Sequence, residues 1–350
     1  MQVDYIIVGF GLAGMAITKE LEDNGHTFVV LDNASQVSSR VAAGVFNPVI
    51  LKRFTPVWNA DEQLGNLFPF YKDVSKRLGG EYVSFFDTFK VFKSIEDQNN
   101  WFMACDNPLL EKYMEPKIQK ENINGIQHYK GFGRVKGTGR VLVKKVLDDY
   151  IIYLKAKNQF LKVPFCYQEL EIEQEGVTYQ NIKAKKIIFA EGYGLKENPF
   201  FNYLPLAGTK GEMLYIKAPS LKLTQQIKSS LFVLPVGADV YWVGATFNWT
   251  DKTIDPTEKG RQEMLKKLES MIDVPFTVVN QFGGIRPTVK DRRPLVGVHP
   301  KYPQLVVFNG LGTRGVMIAP TVATQLYQHI EKGKELPKEI SINRFSELFS

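Results

Sequence analysis

Three glycines and one aspartate near the start of the chain have types and a spacing that could bind phosphate and ribose. Gly9, Gly11 and Gly14 follow an apolar run that ends at Val8, and Asp32 stands 18 residues after Gly14. In such a turn the first glycine allows a tight bend, the second lets a pyrophosphate approach the backbone, and the third lets helix and strand pack closely. The aspartate can accept hydrogen bonds from ribose hydroxyls. The pattern predicts a dinucleotide-binding turn, but by itself it does not separate NAD from FAD.

A second glycine-rich turn, NGLGTRG at residues 309–315, follows a predicted buried strand at 305–308 and precedes a predicted helix. The N-terminus of that helix offers free N–H groups and a positive dipole end to an anion. A nicotinamide dehydrogenase does not need this second site. A reduced flavin, which is anionic near N1 and the C2 carbonyl, is stabilised by it. The two turns together favour FAD held between the two ends of the chain.

Regular elements must position the first turn. The β-branched run over 3–8 predicts a buried strand, residues 12–24 have helical spacing before Gly25, and residues 27–31 predict a second strand. Further predictions are a helix over 61–78, a turn over 131–139 before a helix over 140–152, a buried strand over 187–190, antiparallel strands over 204–250, and a helix start with Asp255 as its N-cap.

Composition and charge exclude membrane-spanning and fibrous classes. Hydrophobic residues make up 44% of the 350 residues, which is enough for a sizeable core. The uncharged run near the N-terminus, residues 5–18, has 14 residues, fewer than the about 20 that a spanning helix needs. The net charge of +7 allows an acidic partner such as RNA or an anionic cofactor, but the mixed signs in KKVLDDY and LKKLES are typical of solvated helix faces. We therefore expect a basic enzyme surface and no membrane partner.

The cysteines and histidines give no sign of a disulfide framework or a metal site. Cys105 and Cys166 are the only two cysteines, and a reducing cytoplasm is the default location for such a chain. No pair of histidines has metal-ligand spacing, so we expect no metal. The four histidines are His26, His128, His299 and His329.

Four segments, in this order along nearly the whole chain, resemble the D-amino-acid oxidase/glycine oxidase (DAO) family of FAD-dependent oxidoreductases. They are GFGLAG with Asp32, SSRVAAG at 38–44, IIFAEG at 187–192, and GGIRPTVKDRRPLVG with NGLGTRGVMIAP at 283–320. The GTRG turn and the AAGVFNP stretch are especially similar to the FAD-dependent oxidase half of the bifunctional enzymes that make 5-methylaminomethyl-2-thiouridine in tRNA. We expect no methyltransferase half here, which counts against tRNA as the substrate.

The resemblance implies a mixed α/β fold with a discontinuous Rossmann-like FAD-binding domain, formed by residues 1–80, 130–203 and 283–350. An antiparallel-sheet substrate domain, formed by residues 81–129 and 204–282, is inserted into it. It also implies that Arg286 holds a substrate carboxylate, which a guanidinium can bind through both oxygens, and that Arg314 faces the flavin or the substrate.

The cofactor-binding residues predicted from the motif and the resemblance fall into four segments. They are Gly9, Gly11, Leu12, Ala13, Gly14, Asp32 and Asn33; Ser39, Arg40, Ala43, Gly44, Val45 and Phe46; Gly192; and Gly310, Leu311, Gly312, Thr313, Arg314, Gly315, Val316 and Met317. We expect the FAD to be bound non-covalently, because Cys105 and Cys166 lie far in sequence from the C-terminal turn where some relatives tether a flavin.

The resemblance implies oxidation of a C–N bond in an amine or amino acid by hydride transfer to flavin N5, followed by imine hydrolysis and reoxidation by molecular oxygen to give hydrogen peroxide. No general base is named, because this chemistry needs a neutral amine and good alignment. Three alternatives remain open: an FAD-dependent oxidase of a modified tRNA nucleoside, a nicotinamide-dependent dehydrogenase, and a flavin-binding protein without turnover.

Two features depart from the amino-acid oxidases or add to them. Phe232 stands where those enzymes often place a tyrosine hydroxyl near the substrate carboxylate, and a phenyl ring cannot donate that hydrogen bond, which argues against a simple glycine-like substrate. Tyr241 and Trp242 alternate, so we expect them on opposite faces of a strand. Lys52 and Arg53 are interpreted as a solvated surface pair, with contact to an acidic substrate as the alternative.

Overall fold

The computed structural model describes residues 1–120, 122–127 and 130–349. His128, one of the histidines considered above, lies outside the described residues. The strands are β1 Gln2–Val8, β2 Phe28–Leu31, β3 Val45–Phe46, β4 Val49–Ile50, β5 Thr55–Pro56, β6 Val83–Phe85, β7 Thr88–Val91, β8 Phe132–Val135, β9 Gly139–Val141, β10 Phe160–Leu161, β11 Leu170–Ile172, β12 Val177–Tyr179, β13 Ile182–Phe189, β14 Thr209–Lys217, β15 Gln226–Lys228, β16 Phe232–Gly237, β17 Val240–Gly244, β18 Thr277–Arg286, β19 Leu295–Val298 and β20 Leu305–Asn309. The α-helices are α1 Leu12–Asp23, α2 Ser38–Val41, α3 Ala60–Leu78, α4 Ile95–Cys105, α5 Val143–Ala156, α6 Glu258–Glu269 and α7 Gly315–Lys332.

One large sheet is built on five parallel strands in the order β10-β2-β1-β13-β20. Val8 of β1 pairs with Leu31 of β2 and with Phe189 of β13, and Phe189 pairs with Val307 of β20. The carboxyl ends of these strands therefore meet at one edge of the sheet. Ligands of open α/β sheets bind at this edge, where the strand order changes direction.

The helices that follow β1 and β20 pack against each other over this sheet. One core cluster, which also contains strand residues, buries side chains from both helices. They include Leu12, Met15 and Ile17 on α1, and Val316 and Leu326 on α7. These residues recur at the helical spacing that the sequence analysis used, and that spacing forms a continuous apolar face. The predicted first strand, first helix and last strand–turn–helix unit are confirmed.

A second large sheet has the order β18-β14-β17-β16-β15-β7-β8. The pairs β14–β18, β14–β17, β16–β17 and β15–β16 are antiparallel, as predicted for residues 204–250, and β15 pairs with β7 in parallel. Tyr241 and Trp242 are both buried but belong to different core clusters, which confirms that they lie on opposite faces of β17.

The prediction of a turn over 131–139 holds at Gly131 and Gly137, which have φ values of +85° and +68°. It was wrong for Gly133 and Gly139, which pack inside strands. A Cβ on Gly133 of β8 would lie 2.5 Å from Trp101, and one on Gly139 of β9 would lie 2.4 Å from Phe46. Close packing against aromatic rings, and not a bend, requires glycine at both positions. Helix α5 consequently begins at Val143 instead of residue 140.

The helix predicted after residue 254 exists, but Asp255 is not its cap. Helix α6 begins at Glu258, and the hydroxyl of Thr257 accepts a hydrogen bond from the N–H of Gly260 at 3.0 Å. Thr257 is also held by the buried Glu212, whose two carboxylate oxygens accept from its N–H and its hydroxyl at 2.7 Å each. This tertiary contact fixes the cap two residues later than the local sequence suggests.

The proposed division into two domains stays a prediction. Strand β8 pairs with β7 inside the antiparallel sheet although its residues fall in the 130–203 segment assigned to FAD binding.

Among the described residues, none of the helices combines the length and apolar character that crossing a membrane requires. Within the same part of the chain there is no cluster of three or more His, Cys, Asp or Glu side chains that could hold a metal ion.

Candidate active site

A cavity of about 880 Å³ lies between the carboxyl edge of the parallel sheet and the antiparallel sheet. Its wall includes both glycine-rich turns, which enter from opposite ends of the chain. The predicted cofactor residues that line it are Gly9, Gly11, Leu12, Ala13, Asp32, Asn33, Ser39, Ala43, Gly44, Val45, Gly192, Leu311, Gly312, Thr313, Arg314, Gly315 and Val316. One continuous cavity therefore connects the two turns, as a long dinucleotide requires.

The three glycines of the first turn occupy positions that other residues would disrupt. Gly9 has a φ of +94°, and a Cβ there would lie 2.6 Å from the carbonyl oxygen of Ala190. A Cβ on Gly14 would lie 2.0 Å from the carbonyl oxygen of Gly9, so its absence lets α1 pack against the turn. Gly11 lines the cavity and leaves the backbone open to a ligand.

Asp32 and Ser39 hold the first turn in place from neighbouring segments. The carboxylate of Asp32 accepts hydrogen bonds from the N–H of Phe10 at 3.2 Å and from the N–H of Ala34 at 3.1 Å. Burial raises the pKa of Asp32. Ser39 accepts from the N–H of Leu12 at 3.2 Å, at the first residue of α1. Asp32 is thus oriented at the cavity wall, where its remaining lone pairs can accept from hydroxyl groups.

The second turn brings the N-terminus of α7 against α1. Gly310 and Gly312 have φ values of +74° and +59°, and α7 begins at Gly315. A Cβ on Gly315 would lie 2.9 Å from Leu12 Cδ1, so the two helix N-termini approach closely. Both ends present N–H groups without intrahelical partners to the same cavity. Such a pair of helix termini suits a ligand with anionic groups at two places.

Five of the predicted cofactor residues support the wall from behind instead of lining it. Arg40 donates a hydrogen bond to the carboxylate of Asp148 on α5 and lies at a separate cavity. The other four are buried or serve the turns: Gly14, Phe46, Gly310 and Met317. Their contact with FAD stays a prediction.

Arg286 and Arg314, the two predicted substrate-binding residues, both line the cavity. Nη1 of Arg286 donates to the carbonyl oxygen of Thr246 at 3.3 Å, and its guanidinium carbon lies 4.5 Å from the ring centroid of Phe247. Arg314 Nη1 donates to the carbonyl oxygen of Asn47 at 3.2 Å. Among the described residues neither guanidinium has a carboxylate partner, and burial lowers the pKa of each to about 10. Both are therefore available to bind an anion.

Gly211 makes room for Arg286, a role that the sequence analysis missed. A Cβ on Gly211 of β14 would lie 1.9 Å from Nη2 of Arg286. Gly211 pairs with Gly284 of β18, so two glycines face each other beside the guanidinium. The signal in the sequence was a glycine inside a strand, which often marks the close approach of another group.

Glu191, the penultimate residue of the IIFAEG segment, lies at the cavity wall and was not predicted from the sequence. Glu191 is 8% exposed, and it accepts hydrogen bonds from Asn198 Nδ2 at 2.8 Å and from the hydroxyl of Tyr167. Burial raises the pKa of Glu191 to about 7, although both donors favour the ionised form. The signal in the sequence that could have indicated Glu191 was a charged residue directly after the apolar run at 187–190. Perturbed carboxyl groups in clefts are frequent at functional sites.

Phe232 lines the cavity, as do Lys52 and Arg53, which the sequence analysis interpreted as a solvated pair. Both cations are exposed to solvent yet contribute to the cavity wall, so the interpretation is right about their exposure and incomplete about their position. Within the described residues, neither Cys105 nor Cys166 is among the residues that line the cavity.

The residues present fit an FAD. The two glycine turns, the oriented Asp32 and the N-terminus of α7 provide hydrogen-bond donors and acceptors in one cavity, and the volume of about 880 Å³ accommodates a large cofactor. The wall is also rich in apolar side chains at the antiparallel sheet, among them Met213, Phe232 and Trp242.

Known proteins are similar to this chain over part or nearly all of its length. The glycine oxidase from Geobacillus kaustophilus has the same fold, with a TM-score of 0.79, 18% identity and 96% of both chains covered. The tRNA 5-methylaminomethyl-2-thiouridine biosynthesis bifunctional protein of Campylobacter jejuni subsp. doylei is 20% identical over 312 residues, which are 83% of this chain and 45% of that protein. Glycine oxidase of Bacillus subtilis is 26% identical over 147 residues, which are 40% of this chain and 39% of that protein. The matches thus span less than half the length of these curated relatives.

The profile of the DAO family, described as FAD dependent oxidoreductase, matches residues 4–328. That range runs from the first strand to the last helix and contains both glycine turns and Arg286. The resemblance and the mixed α/β fold expected from the sequence are thereby confirmed. This chain belongs to the DAO family of FAD dependent oxidoreductases.

Proposed function

We propose that this protein oxidises a C–N bond of an amine or amino acid that carries a carboxylate, with Arg286 as the carboxylate anchor. The observation that carries the proposal is the half-buried Arg286, whose guanidinium has no carboxylate partner within the described residues and shares a cavity with both glycine turns. A guanidinium binds both oxygens of a carboxylate and so fixes the direction of the substrate.

Bound FAD supplies the acceptor for a hydride from the carbon next to the amine. The residues of this chain supply binding and alignment. The first turn and Asp32 hold the dinucleotide part, and the N-terminus of α7 offers N–H groups that stabilise negative charge. Phe247 stacks on Arg286 and keeps it in one orientation. No side chain of the cavity is assigned as a general base.

The substrate loses a hydride from carbon and a proton from nitrogen to become an imine, which water hydrolyses to a carbonyl compound and an amine. Molecular oxygen then takes up two electrons and two protons to give hydrogen peroxide. Oxygen as acceptor, non-covalent binding of the FAD and a cytoplasmic location are parts of the proposal. The absence of both cysteines from the described cavity wall supports non-covalent binding.

Purified protein tests the proposal directly. We expect a yellow sample that releases FAD on denaturation, flavin bleaching under anaerobic conditions with carboxylate-bearing amines, and peroxide formation in air. Colourless protein that binds nicotinamide cofactors instead would support the dehydrogenase alternative. A flavin that no amine in a broad panel bleaches would contradict amine oxidation.

A second candidate is oxidation of a modified tRNA nucleoside. The match to the tRNA-modifying relative covers 83% of this chain, and the cavity wall includes two exposed aromatic rings, Phe247 at 64% and Trp249 at 51%. Exposed aromatic side chains near cations are typical platforms for stacking bases. Binding of bulk tRNA that weakens steeply between low and moderate salt would favour this candidate. Salt-independent turnover of free amines would favour the first.

A further inference from the structure

Lys228 is a cation in the cavity wall that the proposed function does not use. It is the last residue of β15 and is half-buried. Its ammonium lies 4.5 Å from the ring centroid of Phe232 and donates a long hydrogen bond of 3.4 Å to the carbonyl oxygen of Ser230. Within the described residues it has no carboxylate partner. The side chain is thus held at the cavity but is not neutralised.

The register of the antiparallel sheet places Lys228 on the cavity face. Met213 pairs with Gly244, Gly244 with Phe232, and Phe232 with Lys228. Residues directly opposite each other across strands share a face of the sheet. Since Met213 and Phe232 line the cavity, the position of Lys228 in the same row explains why it lines the cavity too. Lys90 on β7 is the next residue in this row.

The charges that act on the ammonium of Lys228 are those of other lysines, one of which, Lys90, also lies 3.9 Å from the carboxylate of Asp97. Burial lowers the pKa of Lys228 to about 8, and further lysines lower it in the same direction. Two lysines opposite each other on paired strands destabilise a sheet. An arrangement that costs stability and persists in a cleft is typical of a binding site. The lysines that contribute are Lys90, Lys93, Lys267 and Lys52.

The distance to Arg286 defines what could bind both cations. The guanidinium of Arg286 contacts the carbonyl oxygen of Thr246, two residues after Gly244. Two strand spacings across the sheet and two residues along it then lead from Thr246 through Phe232 to Lys228, a distance on the order of 12 Å. The carboxylate of a simple amino acid cannot reach both sites at once. The apolar ring of Phe232 lies between them and suits a methylene chain or a flat ring.

We propose that Lys228, assisted by Lys52 and Arg53 at the same wall, is a second anion subsite for a carboxylate or phosphate group on the far end of the substrate. The substrate class is then an amine with one carboxylate at Arg286 and a second anionic group roughly 12 Å away. This inference rests on the proposed function for the role of Arg286. It also gives a reason for the phenylalanine at position 232, where a hydroxyl is not needed.

Calorimetry with the purified holoprotein tests the subsite without requiring turnover. The probes are the linear dicarboxylates glutarate, adipate, pimelate and suberate, each compared with the monocarboxylate of the same length. We expect the longer dicarboxylates to bind about tenfold more tightly than their monocarboxylate partners, because they add one charge-assisted contact. Lys228→Gln should remove this preference and leave monocarboxylate binding unchanged. Lys228→Arg, which keeps the charge, should retain it.

Lys338→Gln is the matched control, since Lys338 is exposed and lies outside the cavity wall; it should behave like the unmodified protein. If the protein does not prefer dicarboxylates, or if the Lys228→Gln variant keeps that preference, the proposed subsite is wrong. A second series of probes, in which phosphonate replaces one carboxylate of each dicarboxylate, tests which anionic group the subsite prefers. The series that binds more tightly identifies that group. If the preference for dicarboxylates depends on Lys228 but no amine bleaches the flavin, the proposal of amine oxidation is wrong and the proposal of the anion subsite is supported.

Discussion

At the scale of single residues, the cavity is distinguished by charged groups that the rest of the chain leaves without partners. Arg286 and Arg314 are half-buried and donate to backbone carbonyls, and both burial and other lysines lower the pKa of Lys228. Burial of an unpaired charge costs free energy, and a bound anion offsets that cost. The acidic groups of the wall are Asp32, Glu191 and Glu197, and the first two follow strands of the parallel sheet closely. The wall is therefore acidic at the dinucleotide end and cationic at the substrate end.

Replacement of Arg286 by alanine should separate substrate binding from cofactor binding. We expect FAD to stay bound, while kcat/KM for a carboxylate-bearing amine falls about 10- to 100-fold, because charge-assisted hydrogen bonds of about 1.5–3 kcal/mol are lost. Steady-state kinetics of the flavin-loaded variant measures this. Arg261→Ala on α6, outside the cavity wall, is the control. If Arg286→Ala loses flavin and turns over normally once refilled, the assignment of Arg286 is wrong.

Glu191 should make stability fall as the pH rises. Its pKa is about 7 in the folded protein and 4.5 ordinarily, so between these values the unfolded chain releases a proton that the folded chain retains. The free energy of unfolding should therefore drop by about 3 kcal/mol from pH 4.5 to above 7. Urea unfolding of Glu191→Gln should show a correspondingly flatter profile. The exposed Glu197, changed to Gln, should leave the profile as it is, and an equal slope in all three proteins would contradict the role of Glu191.

At the scale of elements, each turn works because a glycine stands where the following helix packs closely against a neighbouring segment. Gly14 lets α1 sit on the turn after β1, and Gly315 lets α7 sit against α1. Local sequence was sufficient to predict these elements because glycines at fixed spacing between two apolar runs leave few alternatives. The cap of α6 and the strands β8 and β9 depend on Glu212, Trp101 and Phe46, which are distant in sequence. Local patterns do not contain those contacts.

A pair of glycine-to-alanine changes distinguishes packing from helix propensity. Gly14→Ala puts a Cβ 2.0 Å from a backbone oxygen and should destabilise the protein by about 1–3 kcal/mol and weaken FAD binding. Gly65→Ala, in the exposed middle of α3, meets nothing within 4 Å and should stabilise it by about 0.5–1 kcal/mol. Thermal or urea unfolding measures both. Effects of the same sign would refute the packing explanation.

The N-cap of α6 gives a second test at this scale. Thr257→Ala removes the hydroxyl that caps Gly260 and donates to Glu212, so the free energy of unfolding should fall by about 1–2 kcal/mol. Asp255→Ala, at the cap position that the sequence suggested, should change it by less than about 0.5 kcal/mol. Equal losses in the two variants would show that the cap is shared.

At the scale of the whole molecule, one cavity joins segments from both ends of the chain and from both sheets. Because a ligand clasped in this way stabilises only the folded chain, FAD at about 100 times its dissociation constant should raise the free energy of unfolding of the apoprotein by about 2.7 kcal/mol. ADP, which fills only the dinucleotide end, should stabilise it less, and NAD should have little effect. Thermal unfolding with each ligand measures this. Equal stabilisation by NAD and FAD would argue against the second turn as a flavin site.

The sequence by itself determined the dinucleotide turn and the last strand–turn–helix unit, because each depends on residue types at short, fixed spacings. Arg286 was predicted from the family resemblance, and its role stays a proposal. Only the tertiary structure decided that these pieces share one cavity, since the alignment of the strand ends is set by the pairing of Val8, Leu31, Phe189 and Val307. Gly211, Glu191 and Lys228 became visible for the same reason. Their roles depend on neighbours brought close by long-range pairing, and no local pattern in a single sequence encodes which buried charge is left without a partner.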